Sequence, residues 1–363
     1  MPVEERSNSN RMANLELLRI VSMLMVIMLH LFTQGKVLQN VTEGVNYYFS
    51  WIMEAVCYTS VNSYMLISGY FMWRTKFKWK RIVSLYAQIL FYTIVLAGIT
   101  FAVMPSRLSA INFSKLLPVF SGNNWYISIY FVLYFLTPIL NSAIRSIKPS
   151  THRSVIGILF LAFSIMPSVF FNADPFLVNA GYSVLWFMYV YLVAAYIGKN
   201  NIQLRKSVTI IMCIMLVLVP MSKFFMDLYH LVTGDYDIQG TFFYTYNSSP
   251  VAIASVGLFA VFLGIKIKNE KVAKFINKVA KTTGGVFYIH TFFLYRDFIW
   301  EKLGSTKFVG SPVFIPYCFG IVIGVFIACS IIDFLRAKLF KLIRLDKLID
   351  KISHAIEVRI RLE

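Results

Sequence analysis

Acidic residues are scarce in this sequence, and so is charge of either sign. Asp and Glu number 17, and all charged residues make up 14% of the chain, where a soluble domain carries about 25%. A water-exposed surface cannot be built from so little charge. Cysteine is sparse as well. Cys57, Cys213, Cys318 and Cys329 each stand alone inside an apolar run, which argues against a disulfide framework and against a zinc site of paired spacing. No metal is expected. What the chain has in abundance is apolar surface: 58% of its 363 residues are hydrophobic, among them 33 Phe, 21 Tyr and 15 Met. One soluble core could not hide that much, so lipid must cover much of it. A net charge of +18 would point a soluble protein toward nucleic acid, but here the positions of the charges decide against a nucleic-acid partner.

Apolar runs long enough to cross about 30 Å of hydrocarbon at about 1.5 Å per residue fall at 15–33, 47–72, 82–104, 124–141, 154–171, 181–198, 207–226, 249–265, 284–300 and 313–335. The run at 15–33 lacks a small-residue cleavage site and reads as a retained helix. The expected fold is therefore an all-α integral membrane protein of about ten transmembrane helices. Most basic residues sort to alternate loops: Arg6 and Arg11, then Arg74 to Arg81, Arg145 to Arg153, Lys199 to Lys206, six lysines from Lys266 to Lys281, and the tail from Arg336 to Arg361. Cytoplasmic loops collect Lys and Arg, so both termini are expected in the cytoplasm. The domain plan is a short N-terminus (1–14), a membrane domain (15–335) and a basic tail (336–363). Leu335, Leu339, Leu342, Leu345, Ile349, Ile352 and Ile356 make the tail an amphipathic helix suited to the inner membrane face.

Ionisable side chains inside a span are costly unless they face a cavity or a partner, so each is a functional candidate. Arg19 and His30 lie eleven residues apart in the first span, on one helix face and about 16 Å from each other. The second span carries Glu54, Asn62 and Ser68, and runs into the basic segment containing Lys78, Lys80 and Arg81. Gly122-Asn123-Asn124 precedes Trp125 and Tyr126, and the ninth span holds His290. Counted from Leu15, His30 lies about 22 Å up, hence about 8 Å below the outer surface, while Glu54 counted from Tyr47 lies about 10 Å below the same surface. This shared layer predicts that Glu54 faces His30 and holds its tautomer. His290, counted from Gly284, and Asn62 fall in the inner half. The 227–248 loop, with Asp227, Asp235, Tyr236, Asp237, Phe242, Phe243, Tyr244 and Tyr246, could stack and hydrogen-bond a sugar.

At these residues the chain resembles the membrane-bound acyltransferase family 3, bacterial multi-span enzymes that O-acetylate surface and exported glycans. Arg19 to His30 is similar to that family's Arg-x10-His signature, and Val61-Asn62-Ser63 through Ser68-Gly69-Tyr70 to its segment ending in Ser-Gly-Tyr. Trp125-Tyr126 through Pro138 and Asn141 resembles a third motif, and Tyr288-Ile-His290 a fourth. The family's Arg-x-x-Arg is represented by Lys78-Trp79-Lys80-Arg81, whose leading lysine holds phosphate as a point charge without bidentate geometry. The resemblance implies acetyl-CoA as donor, a cell-surface or lipid-linked polysaccharide as acceptor, and a bacterial plasma-membrane location. It implies His30 as the catalytic residue, either base on the acceptor or transient acyl carrier, and the depth argument adds Glu54 beside it as the second member of the catalytic pair. The donor-binding set is Arg19, Ser68, Lys78, Lys80, Arg81, Trp125, Tyr126 and His290. A transporter or flippase is the alternative class. Its marks would be pseudo-symmetric halves or helices broken at matching positions, and the sequence shows neither.

Overall fold

The structure, a computed structural model, describes residues 12–106, 116–122, 124–170, 174–235 and 239–360. Arg6, Arg11, Asn123, Tyr236, Asp237 and Arg361 lie outside them. Every regular element among the described residues is helical. The chain runs through α1 (Ala13–Thr33), α2 (Val37–Asn40), α3 (Gly44–Cys57), α4 (Thr59–Met72) and α5 (Trp79–Val103). Then come α6 (Trp125–Ser146), α7 (Pro149–Phe160), α8 (Met166–Val169), α9 (Val184–Lys199), α10 (Lys206–Ile214) and α11 (Leu218–Thr233). It closes with α12 (Ser249–Gly264), α13 (Glu270–Ala280), α14 (Thr283–His290), α15 (Arg296–Lys302), α16 (Phe314–Leu342) and α17 (Leu345–Arg359).

Six described stretches are long and apolar enough to cross a membrane: α1, α5, α6, Pro149–Val169, Lys206–Thr233 and α16. Two shorter helices, α9 and α12, are also apolar. Two of the expected spans are broken. The 47–72 run is divided at Tyr58 into α3 and α4, and the 284–300 run stops at His290, turns, and resumes as α15. A break at membrane depth is tolerated only where other groups satisfy the freed carbonyls. Here the Tyr295 hydroxyl donates to the Ile289 carbonyl at 2.6 Å. Neither break carries a Gly or Pro, so hydropathy alone reads straight through both.

Two prolines inside the spans are compensated in the same way. Pro138 cannot donate to the Tyr134 carbonyl one turn back, and the Thr137 hydroxyl takes that carbonyl at 2.6 Å, so α6 continues. Pro167 frees the Phe163 carbonyl beside a π-helical turn over Leu161–Ile165, and the Asn247 side-chain amide donates to it at 3.0 Å.

α1 is the axis of the bundle. It packs against α3, α4, α12, α13, α14 and α16, and 67% of its apolar window is buried, against 11–39% in the other five long stretches. One apolar core lies among α4, α6, α9 and α12, and a second among α1, α14 and α16. The outer faces keep Ile94, Ile99 and Phe101 on α5 and Ile323, Ile327 and Ile331 on α16 exposed, as lipid contact requires. Polar pins lock the helices together. Asn62 on α4 accepts from the Trp186 indole of α9 at 2.9 Å and donates to the Tyr246 carbonyl at 2.8 Å. Where α14 crosses α16, a Cβ on Gly285 would run into the Asp333 side chain. That buried carboxylate accepts from Tyr92 at 2.6 Å and pairs with Arg336 at 2.8 Å.

The tail departs from the expected plan. α16 runs on to Leu342, the chain turns at Arg344 in the left-handed region, and α17 packs against α5, with Ile349 buried and Asp350 paired to Lys80 at 2.5 Å. Part of the apolar stripe is therefore spent on protein contact.

Candidate active site

A cavity of about 780 Å³ follows α1 from Arg19 past Met23 and Val26 to His30, Thr33 and Gln34, a path of about 22 Å along the helix. This volume falls in the range of small-molecule sites. The wall opposite α1 comes from α4, α6 and α14. Arg19, Arg81 and Lys281 make one end cationic, and Gln34, Asn124 and Arg296 line the other. Arg19 is braced by Glu16 at 3.4 Å and still faces the cavity.

Of the residues singled out in the sequence, Arg19, His30, Glu54, Ser68, Arg81, Trp125 and Tyr126 line this one space. They come from α1, α3, α4, α5 and α6. Ser68 donates back to the Tyr64 carbonyl at 2.9 Å, and Tyr126 stacks with Tyr130. Lys78 and Lys80 are not among the lining residues. Lys80 is exposed and engaged by Asp350, and the segment at Lys78 is tied down through its backbone by the Tyr134 hydroxyl. Successive residues leaving a helix point in different directions, so a basic cluster in sequence need not be one in space. Arg81 alone of the three reaches the wall.

Two placements differ from the depth arithmetic. His290 does not lie a layer apart from His30: its Nε2 is 2.9 Å from Nδ1 of His30. Counting from Gly284 took that residue to be at the membrane surface, whereas α14 begins within the bundle, with Thr283 already on the cavity wall. Glu54 does not hold His30. Its Oε2 has no hydrogen-bond partner among the described residues, and the nitrogen it was expected to orient is taken by His290. Depth sets a residue's height on its helix but not the direction in which it points.

The histidine pair has a defined proton arrangement. Nδ1 of His290 lies 2.6 Å from the Val286 carbonyl, which can only accept, so that nitrogen carries the hydrogen. With both rings neutral, Nε2 of His290 is then an acceptor and Nδ1–H of His30 donates to it. Nε2 of His30 is left with a free lone pair. His290 is 1% exposed and sits behind His30, which opens to the cavity. The pair presents one base to whatever occupies the space.

Sequence reasoning missed Lys281 and Arg296, and also Tyr58 and Tyr182 on the wall. Lys281 belonged to a loop counted only for topology, Arg296 lay inside the 284–300 run without being singled out, and an isolated tyrosine in an aromatic-rich chain carries no signal. Of the 227–248 loop, Tyr246 reaches the cavity. Asp227 is engaged by Tyr47 and Lys223, and the Tyr244 hydroxyl donates to the Trp51 carbonyl at 3.1 Å.

A family model described as an acyltransferase domain matches residues 12–333. No curated protein and no solved structure matches the chain.

Proposed function

Since the chain belongs to the acyltransferase family 3 of membrane proteins, we propose that it moves acetyl from cytosolic acetyl-CoA to a hydroxyl of a cell-surface or lipid-linked polysaccharide. The observation that carries this reading is one continuous cavity with Arg19, Arg81 and Lys281 at one end and a single imidazole base, near Arg296, toward the other. Arg19, Arg81 and Lys281 suit the phosphates of the nucleotide. The distance of about 16 Å from Arg19 to His30 is comparable to an extended pantetheine arm, so a donor anchored at the cationic end presents its thioester at His30. Ser68, Tyr126 and Tyr130 line the path between.

In the reaction, Nε2 of His30 takes the acceptor hydroxyl proton as that oxygen bonds to the thioester carbonyl carbon. The tetrahedral intermediate collapses with cleavage of the carbon–sulfur bond. The proton passes from His30 to the departing sulfur, so free CoA and an ester are the products. His290 holds His30 in the tautomer that makes this possible. Arg296 lines the same end of the cavity and supplies positive charge for the oxyanion. In this reading the chain crosses a bacterial plasma membrane about ten times, with both termini and the Arg74 to Arg81 loop in the cytoplasm and the His30 end of the cavity toward the outside.

The test is free-thiol release from acetyl-CoA by the purified protein in lipid nanodiscs, with and without an oligosaccharide acceptor. Time-dependent CoA release that His30→Ala abolishes is the expected result. Absence of both CoA release and acetylated product from the well-folded wild type would remove the reading.

A further inference from the structure

Glu54 is left over by the mechanism. It is 2% exposed and lines the cavity, yet its Oε2 has no hydrogen-bond partner among the described residues. Buried carboxyl groups are normally hydrogen-bonded or paired, and Glu54, on the cavity wall, has an oxygen left without a donor. Its surroundings are aromatic. Tyr58, Tyr182 and Tyr246 all lie within electrostatic reach of it. The rings form one continuous wall: Trp125 to Tyr182 at 4.4 Å between centroids, Tyr182 to Tyr246 at 5.0 Å, and Tyr246 to Tyr58 at 5.2 Å. Trp125, Tyr58, Tyr182 and Tyr246 each line the cavity together with Glu54 and His30.

We propose that this wall is the acceptor subsite and that it takes a neutral sugar ring, with Glu54 accepting hydrogen bonds from ring hydroxyls while the aromatic faces stack on the C–H face of the sugar. A pyranose offers both chemistries at once, an apolar face edged by hydroxyl donors. Thioesters and phosphates supply no hydroxyl donor for a carboxylate, which separates this wall from the cationic donor end. An anionic sugar is disfavoured, because Trp125, Tyr182, Tyr246 and Tyr58 supply no cation to offset the cost of burying its carboxylate. The subsite lies on the cavity that holds His30, so a ring bound there brings a hydroxyl to the base. This inference rests on the acyl-transfer reading and adds to it which residues select the acceptor and which charge class they admit.

The experiment titrates full-length protein in lipid nanodiscs with methyl β-D-glucopyranoside, methyl β-D-galactopyranoside and methyl β-D-glucuronide, following tryptophan fluorescence, and measures acetyl-CoA binding in parallel by calorimetry. Saturable quenching by at least one neutral glycoside is expected, weakened tenfold or more in Glu54→Gln and lost in Tyr182→Leu, with acetyl-CoA affinity unchanged in both. If Glu54→Gln fails to fold, Tyr182→Leu and Tyr246→Leu test the wall without touching the carboxyl group. Failure of the wild type to bind either neutral glycoside, equal binding by the variants, or preference for the glucuronide would overturn the subsite. Acetyl-CoA binding by the wild type in those cases leaves the acyl-transfer reading standing, whereas absence of acetyl-CoA binding and of CoA release removes both.

Discussion

A neutral imidazole is a base at only one of its two nitrogens, and the bond made by the other decides which. In this protein the decision runs backward from a main-chain carbonyl: Val286 fixes His290, and His290 fixes His30. His30→Ala removes the base itself and should lower turnover by about 10²–10⁴-fold. His290→Ala should leave the base in place but free its tautomer. A loss of about tenfold is expected, the rate equivalent of ~1.4 kcal/mol, within the worth of a hydrogen bond that strengthens as His30 gains charge. The loss should appear in kcat with acetyl-CoA affinity retained, and His290→Gln, which keeps an acceptor, should restore part of it. Wild-type turnover in His290→Ala would separate His290 from the chemistry.

Among the elements, α14 matters most for the site, because it is only eight residues long and ends at His290. A helix this short has little stability of its own and depends on its neighbours for position. Its close approach to α16 requires Gly285, since a Cβ there would overlap the Asp333 side chain. Asp333 cannot easily retreat, being held by Tyr92, Gln88 and Arg336. Gly285→Ala should therefore cost about 1–3 kcal/mol through overpacking and displace His290 from His30. Thermal unfolding in detergent, read beside CoA release, tests this. Activity lost out of proportion to stability is the expected pattern, and an unshifted melting temperature with full activity would show that the contact relaxes freely.

At the scale of the whole molecule, the charge pattern has two jobs that substitution separates. Arg81 lines the cationic end of the cavity, whereas Lys80 is exposed and paired with Asp350 of α17. Arg81→Gln should weaken acetyl-CoA binding about tenfold, the equivalent of ~1.4 kcal/mol, and Lys80→Gln should change it little, as measured by calorimetry. Equal effects would mean that the basic segment acts as a diffuse field. In the proposed topology the same charges orient the protein: a single cysteine replacing Lys78 should be protected from an impermeant reagent added outside cells, and one replacing Asp235 should react. The reverse pattern would invert the proposed topology.

Composition and periodicity by themselves determined that this chain lives in a membrane, where its long apolar stretches lie, and that Arg19 and His30 share a face of the first helix. Each of these follows from the apolar fraction, or from the pitch of a single helix, which local sequence specifies completely. The tertiary structure decided the rest. It joined His290 to His30 and withheld Glu54 from it. It gathered Tyr58, Trp125, Tyr182 and Tyr246 into one wall, and it broke two apolar runs at Tyr58 and after His290. The physical reason is common to all of these. Periodicity gives a residue's height and face on its own helix, but which neighbour that face meets is set by how helices pack around α1. That packing depends on close approaches such as Gly285 to Asp333 and on polar pins such as Asn62, which join residues far apart in the chain.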